Sequence, residues 1–67
     1  MIIKGYRITV GTEHYEFGFG EAKVIDIFAN RTWLGVMLVE DIVGYNTYDF
    51  KNKIKYMINN AEEYGVL

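Results

Sequence analysis

The pattern of apolar and polar positions centres on one stretch, Trp33 to Val39, which is apolar at every position except Gly35. A half-buried strand alternates apolar and polar residues, whereas a strand that is apolar throughout must be shielded from water on both of its faces. The stretch therefore predicts a strand over residues 33–40 that needs cover on two sides. A chain of 67 residues has little material to supply that cover.

The first part of the chain predicts a hairpin. Residues 2–10 alternate as a strand with one wet side should. Gly11-Thr12 follows, and Gly at the first central position of a two-residue loop is the signal for a type II′ hairpin turn. The turn predicts a second strand over residues 13–19 and sets Ile8 opposite Tyr15 on an apolar ladder.

Residues 22–28 fit a short helix or a third strand. Their density of β-branched and aromatic side chains favours the strand. Asn30-Arg31 then turns the chain back and sets Phe28 opposite Trp33. An unbroken register gives the further pairs Ile27 with Leu34, Asp26 with Gly35, Ile25 with Val36, and Val24 with Met37.

Residues 48–64 predict an amphipathic helix. Thr47 is the expected N-cap, and Gly65 stands at the C′ position of a Schellman cap in which Val66 folds back toward Ala61. The apolar positions recur at helical spacing along one face. They are Phe50, Ile54, Met57, Ile58 and Ala61.

These elements together predict an α+β fold in a single domain over residues 1–67. The expected architecture is a four-stranded antiparallel meander or a small SH3-like barrel, followed by one C-terminal helix. A fifth strand is added if residues 42–46 form a short edge strand and not a linker. A domain of this size buries only about 60% of its unfolded surface, and the chain has no Cys to form a disulfide.

The residues needed for catalysis are scarce. The chain has no Ser and no Cys, and its one histidine, His14, is predicted on the wet face of the first hairpin. The adjacent carboxylates Glu40-Asp41 and Glu62-Glu63 point apart in a strand or helix, so neither pair forms an acid/base dyad. Phosphate-loop, dinucleotide, EF-hand and zinc spacings are absent from the sequence. We expect no enzymatic activity, no metal site and no cofactor.

Charge and hydropathy set the expected location. The formal charge of −2 argues against strong nonspecific attraction to phosphate. The chain does not open on a basic segment followed by an apolar one, and no apolar run approaches the roughly 20 residues that span a bilayer. We expect a soluble cytoplasmic protein that does not enter a membrane.

One segment, Glu16-Phe17-Gly18-Phe19-Gly20, resembles the middle of the aromatic strand motif of RNA-recognition and cold-shock domains. In that motif, aromatic residues two apart on a strand stack on bases. The resemblance covers five residues, and Glu16 stands where the motif has a basic residue. It implies an alternative function, a small barrel that binds single-stranded nucleic acid. The stacking residues would be Phe17, Phe19 and Trp33, with Arg7, Arg31 and Lys4 on the phosphate backbone.

The favoured hypothesis is a noncatalytic protein-binding module, a small inhibitor, adaptor or regulator that occupies a partner protein's surface, with a phage or mobile element as its candidate source. One helix covers one face of the sheet, and the unbroken register leaves the other face apolar. That face predicts self-association into a homodimer or higher oligomer, or contact with a different protein. Its residues are Ile25, Ile27, Leu34, Val36 and Leu38.

Partner contacts are expected from the tyrosines around the linker and helix, because tyrosine is a favoured interface anchor. The acidic last turn of the helix is a second candidate, since negative charge there is unfavourable to the helix dipole and could meet a cationic partner. The predicted partner-binding residues are Tyr45, Tyr48, Tyr56, Glu62 and Glu63. Tyr56 is the best candidate because it lies off the apolar stripe.

Overall fold

The structure, a computed structural model, describes residues 1–15, 22–43 and 47–67. Four antiparallel strands form one sheet in the order of the sequence, and the sheet curls into a half barrel that the C-terminal helix follows. The elements are β1 (Ile2–Ile3), β2 (Tyr6–Tyr15), β3 (Lys23–Ala29), β4 (Thr32–Leu38), α1 (Val39–Val43) and α2 (Thr47–Glu63). The predicted α+β meander with a C-terminal helix is confirmed.

The first hairpin turns at Lys4-Gly5 and not at Gly11-Thr12. Both residues of this turn have positive φ, 53° and 85°, as a type I′ turn requires. Strand β2 then runs for ten residues through the predicted turn. It pairs with β3, so that Ile8 lies opposite Ala29 and not opposite Tyr15.

The predicted pairing of residues 2–10 with residues 13–19 is therefore wrong. Strand β3 explains why, because it carries a completely buried side chain on each face, Val24 on one and Ile27 on the other. A strand enclosed in this way needs a neighbour on each edge, and β2 and β4 supply them. The end of the predicted second strand, residues 16–19, lies outside the described residues.

Gly11 and Thr12 form a β-bulge in place of the predicted turn. The two residues together oppose Asp26, because the register shifts between the pairs on either side. A Cβ atom on Gly11 would lie 3.1 Å from both Asp26 Cβ and Phe28 Cε2. The glycine therefore lets the kinked strand approach its neighbour closely.

The second hairpin is confirmed at its turn and differs beyond it. Asn30-Arg31 forms the turn with φ of 48° and 69°, and Phe28 pairs with Trp33. The register then shifts, and Ile27 pairs with Gly35. The other observed pairs are Asp26 with Val36, Ile25 with Met37, and Val24 with Leu38. The predicted unbroken register is wrong beyond Trp33.

This shift divides the residues predicted for self-association, because a slip of one residue moves side chains to the opposite face. Ile25 and Ile27 are buried in the core with α2, and Leu34 packs against the margin of that core. Val36 and Leu38 remain half-buried and alternate with the core-facing side chains. The single apolar face expected from the sequence is not formed.

A short helix, α1, begins directly after β4, where the sequence predicted strand to residue 40. Val39 and Ile42 both pack against the core. Residues three apart share a face of a helix but point to opposite faces of a strand, so helix is the conformation that buries both. The predicted linker or edge strand at residues 42–46 begins inside this helix, and residues 44–46 lie outside the described part of the chain.

The long helix α2 is confirmed, and so is its predicted C-terminal cap. Gly65 has φ of 77°, and its N–H donates to the Glu62 carbonyl at 3.2 Å. The Val66 N–H donates to the Ala61 carbonyl at 2.8 Å, which completes a Schellman motif. The predicted apolar stripe packs on the sheet, with Ile54, Ile58 and Ala61 buried and Phe50 and Met57 half-buried at the margin.

The core between the sheet and α2 is aliphatic. Its buried residues are Ile3, Ile8, Ile25, Ile27, Ala29, Met37, Ile54 and Ile58. Aromatic side chains such as Tyr6 and Phe50 pack at its margin. Much of the aromatic surface of the described residues is therefore left outside the core. No helix in the described ranges has the length and apolar character needed to cross a membrane.

Candidate functional site

A groove runs between strand β4 and helix α2. Two adjoining hollows of about 490 and 310 Å³ form it, and both are lined by Tyr56 and Met57. The first hollow also contains Val36, Met37, Leu38, Asp41, Asn52 and Lys53, and the second Trp33, Leu34, Asn60, Ala61, Tyr64 and Val66. We call this surface the β4–α2 groove.

One wall of the groove is an unpaired sheet edge. Strand β4 ends the sheet, and within the described residues its outer backbone groups bond to no other strand or loop. Natural edge strands are commonly protected by charged residues or proline. Thr32–Leu38 contains neither, and only the register shift at Gly35 interrupts it. The edge can therefore accept hydrogen bonds from, and donate them to, an extended segment.

Trp33 is held in place at this edge while its ring stays accessible. Its Nε1–H donates to Asp26 Oδ1 at 3.0 Å, and the side chain remains 54% exposed. The other oxygen of the same carboxylate, Asp26 Oδ2, lies 3.9 Å from His14 Nδ1. This side-chain hydrogen bond fixes the orientation of the indole before any partner arrives.

An ion pair closes one end of the groove. Lys53 Nζ donates to Asp41 Oδ2 at 2.9 Å and so joins α2 to α1. Only 15% of the Asp41 side chain is exposed. Because these two charges neutralise each other, the groove's described lining residues present an apolar wall without net charge. This chemistry suits a neutral, apolar occupant.

Of the predicted partner-binding tyrosines, Tyr56 lies at the centre of the groove. Tyr64 belongs to the tyrosine cluster around the helix but was not among the predicted partner-binding residues. It follows the end of α2 directly, and its spacing from Tyr56 and Asn60 places all three on one side. Tyr45 lies outside the described residues, as does the side chain of Tyr48.

The acidic residues of the last helical turn lie away from the groove's lining. Lys4 Nζ lies 2.9 Å from Glu62 Oε1 and also donates to Asn59 Oδ1, while the Tyr6 hydroxyl donates to Glu62 Oε2 at 3.2 Å. The hydrogen bond from Lys4 holds the pKa of Glu62 below its usual value. Partial burial and the bond to Glu62 raise the pKa of Tyr6. The chain thus supplies Glu62 with a cation of its own, whereas Glu63 is simply exposed.

His14, the single histidine, makes local contacts. Its Nδ1 lies 3.0 Å from the Thr12 carbonyl oxygen, on the bulged end of β2. Across residues 1–15, 22–43 and 47–67, no three His, Cys, Asp or Glu side chains gather as they would around a metal ion.

Of the residues of the nucleic-acid alternative, Trp33 lines the groove and the two arginines lie together elsewhere. Phe17 and Phe19 lie outside the described residues, and Lys4 is engaged with Glu62. Arg7 and Arg31 line a separate hollow at the other hairpin end.

Comparison with known proteins gives this chain no relative. No protein-family model matches it, and neither a curated protein nor a solved structure is detectably similar to it. The function is therefore inferred from the geometry of the groove.

Proposed function

We propose that the protein is a noncatalytic protein-binding module, a small inhibitor, adaptor or regulator that occupies a partner protein through the β4–α2 groove. One observation carries the proposal. Four large apolar side chains that the fold leaves exposed line this groove beside a strand edge that pairs with none of the described residues. Trp33, Tyr56, Tyr64 and Val66 are 54%, 68%, 79% and 53% exposed. Tryptophan and tyrosine are the apolar residue types most enriched among interface hot spots.

The occupant that fits is an extended, apolar and uncharged segment of the partner. Its backbone would add to the free edge of β4, and its alternate side chains would enter the hollows on either side of Tyr56. The Asp41–Lys53 ion pair satisfies both charges of the groove internally, so a charged segment would gain little there.

We also propose that the same edge supports self-association. A second copy brings its own β4, which is itself an uncharged apolar strand, and antiparallel pairing about a twofold axis would satisfy both free edges. Val36 and Leu38, from the set predicted earlier, lie at this edge. Sedimentation velocity should show the association increase with concentration and weaken in Val36→Lys. A chain that stays monomeric at high concentration would contradict this second proposal and leave the first intact.

A displayed library of random peptides tests the binding proposal. We expect the enriched peptides to be apolar and extended, and to shift the backbone amide resonances of β4 and of the middle of α2. Tyr56→Ser should weaken their binding by about tenfold or more, the loss typical of a hot-spot truncation. Tyr15→Ser is the matched control, because Tyr15 is 61% exposed and lies on β2, away from the groove.

Two results would contradict the proposal. One is enrichment of peptides that bind equally well to the Tyr56→Ser and Tyr15→Ser variants. The other is loss of folding in Tyr56→Ser, since an exposed tyrosine that only contacts partners should change the free energy of unfolding by no more than about 0.5 kcal/mol. Thermal melting of both variants separates these cases.

A further inference from the structure

The fold brings together the two arginines of the sequence. Arg7 lies on β2 and Arg31 in the β3–β4 turn, and both line a hollow of about 540 Å³ with Thr9 and Asn30. Arg7 and Thr9 are two apart on one strand, so their side chains share a face of the sheet. The hollow is separate from the β4–α2 groove, since the two have no described lining residue in common.

Two hydrogen bonds fix the backbone of Arg7 and of the turn residue next to Arg31. The Arg7 N–H donates to Asn30 Oδ1 at 2.8 Å, and the Asn30 N–H donates to the Arg7 carbonyl at 2.9 Å. These bonds hold the β3–β4 turn against β2. Arg31 has φ of 69° in the tight turn, which restricts the direction in which its side chain leaves the backbone.

The charges of the hollow are uncompensated. None of its described lining residues is acidic, and in the part of the chain that the structure describes no carboxylate lies within ion-pair distance of either guanidinium. Lys4 and Lys53, by contrast, each pair with a carboxylate. Two like charges held together without a counterion are unfavourable, and a bound anion would relieve that repulsion.

We propose that this hollow binds a phosphate group of a small phosphorylated ligand. The planar guanidinium presents a fork of donors that matches phosphate oxygens bidentately, which favours arginine over lysine at such sites. The Thr9 hydroxyl and the Asn30 side-chain amide add uncharged donors. Thr9 pairs with Phe28, and Phe28 pairs with Trp33. The Trp33 ring therefore lies two strands from Thr9, roughly 10 Å away, where a base attached to the phosphate could stack.

Nuclear magnetic resonance titration of the full chain tests the proposal. Inorganic phosphate should shift the backbone amides of Arg7, Asn30 and Arg31 in a saturable way. Arg7→Gln and Arg31→Gln should each weaken the binding by about tenfold, the effect of losing a charged hydrogen-bonding group. Lys51→Gln, which removes the same charge from an exposed site on α2, should change it by less than about twofold.

Two further probes identify the source of the phosphate. Adenosine monophosphate that binds more tightly than phosphate and changes Trp33 fluorescence would support a nucleotide ligand. Equal affinity for both would support recognition of the phosphate group alone. The proposal is overturned if no saturable shift appears, or if Lys51→Gln weakens binding as much as the arginine variants do. Thermal melting of each variant verifies that it is folded.

Discussion

Lys4 Nζ lies 2.9 Å from Glu62 Oε1, and this ion pair joins the first hairpin turn to the last turn of α2. The two residues lie far apart in the sequence, so the pair joins the start of the sheet to the end of the helix that covers the aliphatic core. Both side chains are more than a third exposed, which limits the strength of the contact. Its consequences for stability can be measured through pH.

Acid should weaken the wild-type protein through Glu62. The pKa of Glu62 is lowered in the folded state, chiefly by the hydrogen bond from Lys4, so its contribution is present above the usual value of 4.5 and is lost as pH falls through the folded pKa. We expect the melting temperature of the wild type to fall more steeply below pH 4.5 than that of Glu62→Gln. Glu63→Gln is the control. Equal acid slopes in wild type and Glu62→Gln would show that the pair is without effect.

Alkali should act on the same cluster through Tyr6. The pKa of Tyr6 is raised by partial burial and by its bond to Glu62, so its contribution is present below the usual value of 10.0 and is lost as pH rises through the folded pKa. Ultraviolet titration should reveal a late step that reports a tyrosine pKa above the usual value of 10.0. Tyr6→Phe should remove that late step, whereas Tyr15→Phe should leave it in place.

The register shift in β4 should depend on glycine. Gly35 has a φ of 146°, a backbone conformation that L-residues other than glycine rarely adopt. A Cβ atom there would lie 3.4 Å from Met57 Cε. We expect Gly35→Asn to reduce the free energy of unfolding by about 1–3 kcal/mol in urea denaturation. Gly65→Asn is the matched control, because φ of 77° lies in the left-handed region that asparagine tolerates, and it should cost less than about 1 kcal/mol. Equal losses of unfolding free energy at the two positions would contradict the dependence of the register shift on Gly35.

The aliphatic core should be sensitive to loss of volume. Ile54 is fully buried against the sheet. Ile54→Ala should cost about 2–5 kcal/mol and Ile54→Val about 0.5–1.5 kcal/mol, since each removes buried methyl groups and leaves a cavity. A domain of this size has little stability in reserve, so Ile54→Ala should be largely unfolded at 37 °C. Thermal melting followed by circular dichroism measures the stability of both variants. A native-like melt of Ile54→Ala would refute the described packing of α2.

The hydrogen bond between Asp26 and Trp33 should prepare the groove for binding. Removing its acceptor in Asp26→Ala frees the indole, and we expect the emission of the single tryptophan to shift to longer wavelength. Affinity for the selected peptides should fall although Asp26 is not among the groove's lining residues, because the ring must then be ordered on binding. Glu13→Ala, which removes an exposed carboxylate next to the sheet bulge, should change neither quantity.

The sequence predicted the features that depend on neighbouring residues. The apolar stripe of α2, its cap at Gly65 and the turn at Asn30-Arg31 follow from local spacing and turn chemistry, and all three are confirmed. The prediction of the first hairpin was wrong because Lys4-Gly5 and Gly11-Thr12 are both acceptable two-residue turns. The choice between them depends on the need of β3 for a neighbour at each edge, which local signals do not contain.

The candidate site was partly predicted for the same reason. Tyr56 was identified because it lies off the helical stripe, which is a local property. The contribution of Trp33 required the hydrogen bond to Asp26 on the neighbouring strand, and that of Val66 required its position beside Tyr56 in the folded protein. The shift at Gly35 also decided that Met37, and not Val36, pairs with Ile25 and faces the core, and a one-residue bulge has no strong sequence signal beyond the glycine itself.

Site-specific photo-crosslinking in the native host tests the groove most directly. A benzoylphenylalanine at position 56 lies in the groove, and one at position 15 occupies an equally exposed tyrosine site on β2. We expect position 56 to give a reproducible crosslink to one protein, lost when Trp33 is also replaced by Ser, and position 15 to give none. Identical products from both positions, or no product from position 56, would contradict a binding role for the β4–α2 groove.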